Sequence, residues 1–271
     1  MRERMDHAII VWLITTEKEF LDVSAVFLIL MMILYFIQHQ YCQIAQQQFG
    51  RKVIWISAII GTPIHELSHA ILCVIFGHKI SEIALFRPGQ DGTLGFVIHH
   101  YNPRNPWHII GNFFIGIAPI FGGTLVLALG TYFILPNGQQ LLTQLNATPF
   151  IHLSDVSVQG VMDLLQHLFN TLEKSAVQSP LLFALWFYLV AAVSLHLSPS
   201  TVDIKGGIVG FLLFIVLIFV LKGLSQYFEY QPLNGQVEIY LGIVSMLLIL
   251  AMICSVVAGV IIVLIAKILP L

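Results

Sequence analysis

Pro63-Ile64-His65-Glu66-Leu67-Ser68-His69-Ala70 lies inside an apolar stretch that runs from about Val53 to Gly77, and its reading decides what kind of chain this is. On a helix, positions four apart share a face, so His65 and His69 can aim one ring nitrogen each at a single metal ion. Glu66 stands beside them as a carboxylate able to act as general base on a water that the metal activates. Ionisable groups at bilayer depth are costly, and where they persist they point to function. An HExxH string also arises by chance in soluble helices. Two histidines and a glutamate in a segment this apolar favour the metal reading.

The composition agrees with a membrane setting. The chain has 271 residues, 58% hydrophobic and only 10% charged, with a mean hydropathy of +0.89. Soluble domains carry about 25% charged residues. The net charge of −2 and the lack of a basic block exclude nucleic acid as a partner class. Cys42, Cys73 and Cys254 are scattered without CxxC spacing and read as small apolar fillers rather than ligands or a disulfide framework.

A membrane-spanning helix needs about 20 apolar residues. Six stretches qualify, at 20–38, 53–77, 107–135, 181–199, 206–222 and 237–267, with Pro119 expected to kink the third. The expected fold is therefore an all-α polytopic membrane protein with about six transmembrane helices and a small membrane-associated β-hairpin. The hairpin is read at residues 80–101, where β-prone runs flank Arg87-Pro-Gly-Gln-Asp-Gly92. The organisation is 1–52 as an interfacial segment and first span, and 53–135 as the HExxH helix, hairpin and third helix. Residues 136–180 form an extramembrane connection with an amphipathic piece at Val158–Leu172; 181–222 carry Asp203, and 223–271 form the last span. With six crossings, eight of the twelve basic residues fall on the side of the termini and hairpin. That bias puts both termini in the cytoplasm, with the active site toward the cytoplasmic half and the plasma membrane as the expected location.

Catalytic zinc takes three protein ligands and leaves one position open. Between the fourth and fifth spans stands His196-Leu-Ser-Pro-Ser-Thr-Val-Asp203-Ile-Lys205-Gly-Gly207. Asp203 is the only carboxylate between Glu173 and Glu229 and is the first candidate for the third ligand. It also reads as the N-cap of the following helix, and the two roles are compatible. His196 is the rival ligand, or else a partner that orients the site or the oxyanion.

The residues now gathered resemble the site-2 protease family of intramembrane zinc metallopeptidases. The likeness is carried by Pro63–Ala70, by Phe76-Gly77-His-Lys-Ile-Ser-Glu-Ile-Ala-Leu-Phe86, by Asp203-Ile-Lys-Gly206 after Pro199, and by Gly116-Ile-Ala-Pro-Ile120. It covers roughly 53–135 and 181–222. The family's Asp-Gly pair is interrupted here by Ile204 and Lys205, and His196 stands near where the family places Asn. No stretch reads as a PDZ or CBS domain, so any substrate filter is expected in the membrane core or in 136–180.

The resemblance implies peptide-bond hydrolysis in or beside the bilayer. It implies Zn²⁺ held by His65, His69 and Asp203, Glu66 as the base, and His196 or Lys205 at the oxyanion. The substrate would be a transmembrane or membrane-anchored protein, locally unwound. Leu94, Gly95 and Phe96 would offer an extended edge for it to pair with, or form a plain surface hairpin. Pro63 removes one helix hydrogen bond and opens the span to water, or simply kinks it. His99, His100 and His108 form a histidine-rich patch that reads as interfacial, with a second metal or a pH sensor as the other reading. Two rival functions remain: a catalytically silent metal-binding scaffold, and a membrane gluzincin drawing its third ligand from Glu82, Glu173, Glu229 or Glu238. Nothing in the sequence bears on oligomeric state.

Overall fold

The structure, a computed structural model, describes residues 29–50, 53–90, 92–147, 157–227 and 236–268. The first expected span falls partly outside these residues, as do the N-terminal segment and Glu229. The chain is mostly helical. A helix at 29–49, α1, is followed by α2 (Ile54–Ile75) and a hairpin of β1 (Lys79–Ala84) and β2 (Phe96–His100). Then come α3 (Pro106–Ile134), α4 (Gly138–Ala147), α5 (Val158–Gln178), α6 (Pro180–Ser194), α7 (Thr201–Tyr227) and α8 (Gln236–Ile268).

Three helices among the described residues, rather than six, are long and apolar enough to cross a membrane: α2, α3 and Gly242–Ile261 within α8. They associate the chain with a membrane. The expected span at 181–199 is the clearest shortfall. Its helix, α6, has 15 residues, or about 22 Å at 1.5 Å per residue, against a hydrocarbon core of about 30 Å. The chain leaves α6 at Leu195, and the turn to α7 meets the middle of α2, where the His65 ring reaches the His196 carbonyl. The stretches at 181–199 and 206–222 therefore meet at the level of the HExxH residues. The helix of the latter, α7, is not among the three, and several of its side chains lie outside the described set.

α2 has two faces. Ser57, Ala58, Gly61, Thr62, Glu66, His69 and Cys73 are buried, whereas Ile56, Ile59, Leu67, Ile71 and Val74 are exposed. Within each set the residues recur about one or two helical turns apart, as a helix with one protein-facing and one lipid-facing side requires. α2 continues through Pro63, and α3 through Pro119. At its C-terminus, Gly77 takes a φ of 74°. The Gly77 N–H donates to the Val74 carbonyl and the His78 N–H to the Cys73 carbonyl, the Schellman arrangement that ends a helix and folds the chain back over its last turn.

The hairpin is antiparallel, pairing Lys79 with His100 and Ala84 with Phe96, with an irregularity between Ile80 and Glu82. α3 lies between α2 and α7, and α6 packs on α2 and α3. The largest core cluster includes Leu34 of α1, Ile120 and Leu127 of α3, Trp186 and Val190 of α6 and Leu250 of α8. Trp186 is fully buried, and its indole N–H donates to Thr131 Oγ1 at 3.1 Å. The amphipathic connection is present as α5, which buries Leu164, Leu168, Thr171 and Ser175 along one stripe.

Small residues set the closeness of α7 to α3. A Cβ on Gly210 would overlap the Ile109 carbonyl oxygen, and one on Gly116 would come to 2.7 Å from the Asp203 carbonyl oxygen. Helices in lipid associate through such close backbone approach, since apolar burial distinguishes protein from lipid only weakly. Gly210→Val is expected to force α7 outward at a cost of about 1–3 kcal/mol, typical of overpacking. A fall in the thermal midpoint of the detergent-solubilised protein checks this; an unchanged midpoint contradicts the α3–α7 contact.

Candidate metal centre

His65 and His69 rise from adjacent turns of α2, with ring centroids 4.8 Å apart. Each ring is fixed by a carbonyl from another element. His65 Nδ1 donates to the His196 carbonyl in the α6–α7 turn at 2.7 Å, and His69 Nδ1 donates to the Ile115 carbonyl of α3 at 2.7 Å. With Nδ1 protonated in each neutral ring, both Nε2 atoms present lone pairs, 3.1 Å apart. Two lone pairs at that distance repel unless something positive lies between them.

The third group is Asp203. Its Oδ1 is 3.6 Å from His69 Nε2, and its Oδ2 is 4.0 Å from His65 Nε2. Ligand atoms around a tetrahedral zinc at 2.0–2.2 Å lie about 3.3–3.6 Å from one another. The three donors sit close to that spacing and match the mix of nitrogen and oxygen that zinc accepts, so the chain's residues fit the ion.

The N-cap of α7, the other role open to Asp203, falls to a neighbour. Ser200 takes that position, and the two residues bond reciprocally: the Ser200 N–H donates to Asp203 Oδ2 at 2.8 Å, and the Asp203 N–H donates to Ser200 Oγ at 3.2 Å. This is a capping box with aspartate in its third position. It holds one carboxylate oxygen while the other faces His69. The pattern Ser200-x-x-Asp203 is the local sequence signal for this arrangement.

The remaining candidates separate cleanly. His196 does not join the ligand atoms as a rival third ligand. Its carbonyl holds His65, and its Nε2 lies 3.1 Å from Ser57 Oγ on α2. Lys205 is exposed and does not line the cavity. Two residues along a helix is a rotation of about 200°, so turning Asp203 inward turns Lys205 away. Leu94, Gly95 and Phe96 all line the cavity. Gly95 is pressed between the hairpin and α2: a Cβ there would come within 2.8 Å of Glu66 Cγ and 2.7 Å of the Ala84 carbonyl oxygen. Glu82, one of the alternative third ligands, instead pairs with Arg87 at 2.8 Å.

The cavity has a volume of about 650 Å³ and is lined by His65, Glu66, His69 and Asp203, with the hairpin on one side and Pro199 and Ser200 on another. Thr62 Oγ1, on the same wall, is a buried polar atom without a hydrogen-bond partner. Gln38 of α1 also borders it, donating to the Ser194 carbonyl and accepting from the Ser198 N–H at 3.2 Å. It thereby braces both ends of the turn that carries His196. Neither Gln38 nor Ser57 has any local sequence signature that announces this role. Compared with known proteins, the chain matches no family model, no curated protein and no solved structure.

Proposed function

We propose that this chain is an intramembrane zinc metalloprotease of the site-2 protease kind, hydrolysing peptide bonds of membrane-embedded or membrane-adjacent proteins. One observation carries the reading. Two imidazoles of fixed tautomer and one anchored carboxylate converge at zinc-ligand spacing, with Glu66 lining the same cavity among apolar helices. His65, His69 and Asp203 would hold the ion. Zinc held by three protein ligands supplies Lewis acidity, polarising a peptide carbonyl and acidifying water.

The chain's own groups account for the rest. Glu66 takes the proton from the attacking water and returns it to the amine as the carbon–nitrogen bond breaks. The His196 and Ile115 carbonyls keep the two imidazoles facing the site. The Leu94–Phe96 segment, against Glu66, offers an extended backbone beside which an unwound substrate segment can lie.

A silent metal-binding scaffold on the same fold has no use for a glutamate beside the ligands. The deciding experiment is to measure zinc in the purified protein and its cleavage of a single-span test substrate in proteoliposomes. About one or more zinc per chain together with metal-dependent cleavage supports the reading. Zinc without cleavage of any membrane substrate returns the scaffold, and no zinc after loading removes both. His196→Ala is expected to retain its metal within about tenfold in affinity, because the carbonyl rather than the ring orients His65. Chelator competition checks this, and complete loss of metal would instead make His196 a ligand.

A further inference from the structure

One helical turn beyond His69, α2 carries Cys73, which is fully buried. The Schellman turn at Gly77 brings His78, also buried, back toward it. The hairpin then returns His99 to the same place, since His99 pairs with Ile80 in the ladder and faces inward while its neighbours Ile98 and His100 are exposed. His78 Nδ1 and His99 Nδ1 are 3.0 Å apart, and one ligand atom each from Cys73, His78 and His99 all lie within 4.8 Å of one another.

The surroundings prepare His78 for ligation. Its Nε2 donates to the His108 carbonyl at 2.9 Å, which leaves a lone pair on Nδ1. Tyr101 stacks on the ring with centroids 5.1 Å apart. Of the histidine patch expected from the sequence, His99 turns inward, His100 stays exposed, and His108 contributes its carbonyl.

We propose that Cys73, His78 and His99 form a second metal site, taking a borderline-soft divalent cation such as zinc and clamping the hairpin to the end of α2. A thiolate with two imidazoles is a donor set that zinc accepts and that magnesium or calcium does not. Binding releases the Cys73 thiol proton to solvent, while the proton that neutral His99 holds toward His78 Nδ1 moves to His99 Nε2 and frees both Nδ1 lone pairs for the ion. His99 also lines the cavity of the first site, which gives the ion a route inward. The proposal does not depend on proteolysis.

The test is cobalt titration of the full chain in detergent after chelator stripping. Cobalt bound to a thiolate shows a sulfur-to-metal charge-transfer band that cobalt bound only by nitrogen and oxygen lacks. Wild type is expected to take up two equivalents and develop the band. Cys73→Ser should lose the band and one equivalent, and His65→Ala should lose one equivalent and keep the band. Absence of the band in wild type at saturation, or its survival in Cys73→Ser, overturns the site. If Cys73→Ser fails to fold, His99→Ala decides: a fall of about tenfold or more in the affinity that produces the band supports the proposal, and an unchanged titration overturns it. Failure of the first site alone would appear as unchanged stoichiometry in His65→Ala with the band intact.

Discussion

Glu66→Gln is expected to reduce cleavage of a membrane substrate by about 10²–10⁴-fold, the range that general base catalysis supplies, while leaving zinc content at the wild-type level. The substitution keeps the side chain's volume and its capacity to accept a hydrogen bond but removes the group that takes a proton from water. Zinc should stay because His65, His69 and Asp203 converge without Glu66. Packing should stay as well, since Gly95 meets Glu66 at Cγ, which the amide retains. Paired measurements of metal content and turnover in proteoliposomes check both halves. Undiminished cleavage would remove Glu66 as the base, and loss of zinc along with activity would make it a ligand.

Asp203→Ala is expected to weaken zinc binding by about 100-fold or more, since losing a direct ligand should exceed the 10–100-fold typical of an outer partner. It should also lower stability by about 1 kcal/mol through the lost cap. The two effects can be separated because the carboxylate divides its oxygens between two tasks. Ser200→Ala removes the hydroxyl that accepts from the Asp203 N–H and leaves the ring-facing oxygen in place. It should cost a similar amount of stability while holding zinc within about tenfold of wild type. Thermal midpoints and chelator competition on both variants give the answer. Equal loss of metal in the two would reduce Asp203 to a capping residue.

The parts of this site that were legible in the sequence are the local ones. His65, Glu66 and His69 are set by helical spacing, and the hairpin by β-prone runs around a proline and glycine turn; both depend on neighbours a few residues away. Asp203 is marked by being a carboxylate between apolar stretches, but aspartate suits both the N-cap and the third helical position of a capping box, so its residue type alone does not tell that Ser200 is the cap. Among the described residues, apolar length counts a full span at 181–199 where there is none. It registers how many hydrophobic residues follow one another, not that Pro180 and the Leu195–Pro199 turn leave α6 with 15 helical residues ending at the depth of His65. Cys73 read as filler because its two companions arrive by a helix-end turn and a strand register that spacing does not reveal. Gln38 and Ser57 reach the site only through packing across more than a hundred residues.

The two carbonyls that aim the histidines belong to different parts of the chain from the histidines themselves, one of them 131 residues downstream. When α2 first enters the bilayer during synthesis it carries both imidazoles and Glu66, yet nothing on α2 chooses their tautomers or directs them together. That requires α3 to dock and then the α6–α7 turn, which also delivers Asp203. The converging arrangement of the three donor groups is therefore not a property of α2 alone, and it is complete only once α3 and the α6–α7 turn have both docked. On the proteolytic reading proposed above, such late completion would keep an isolated α2 from acting on the unrelated helices that share its membrane.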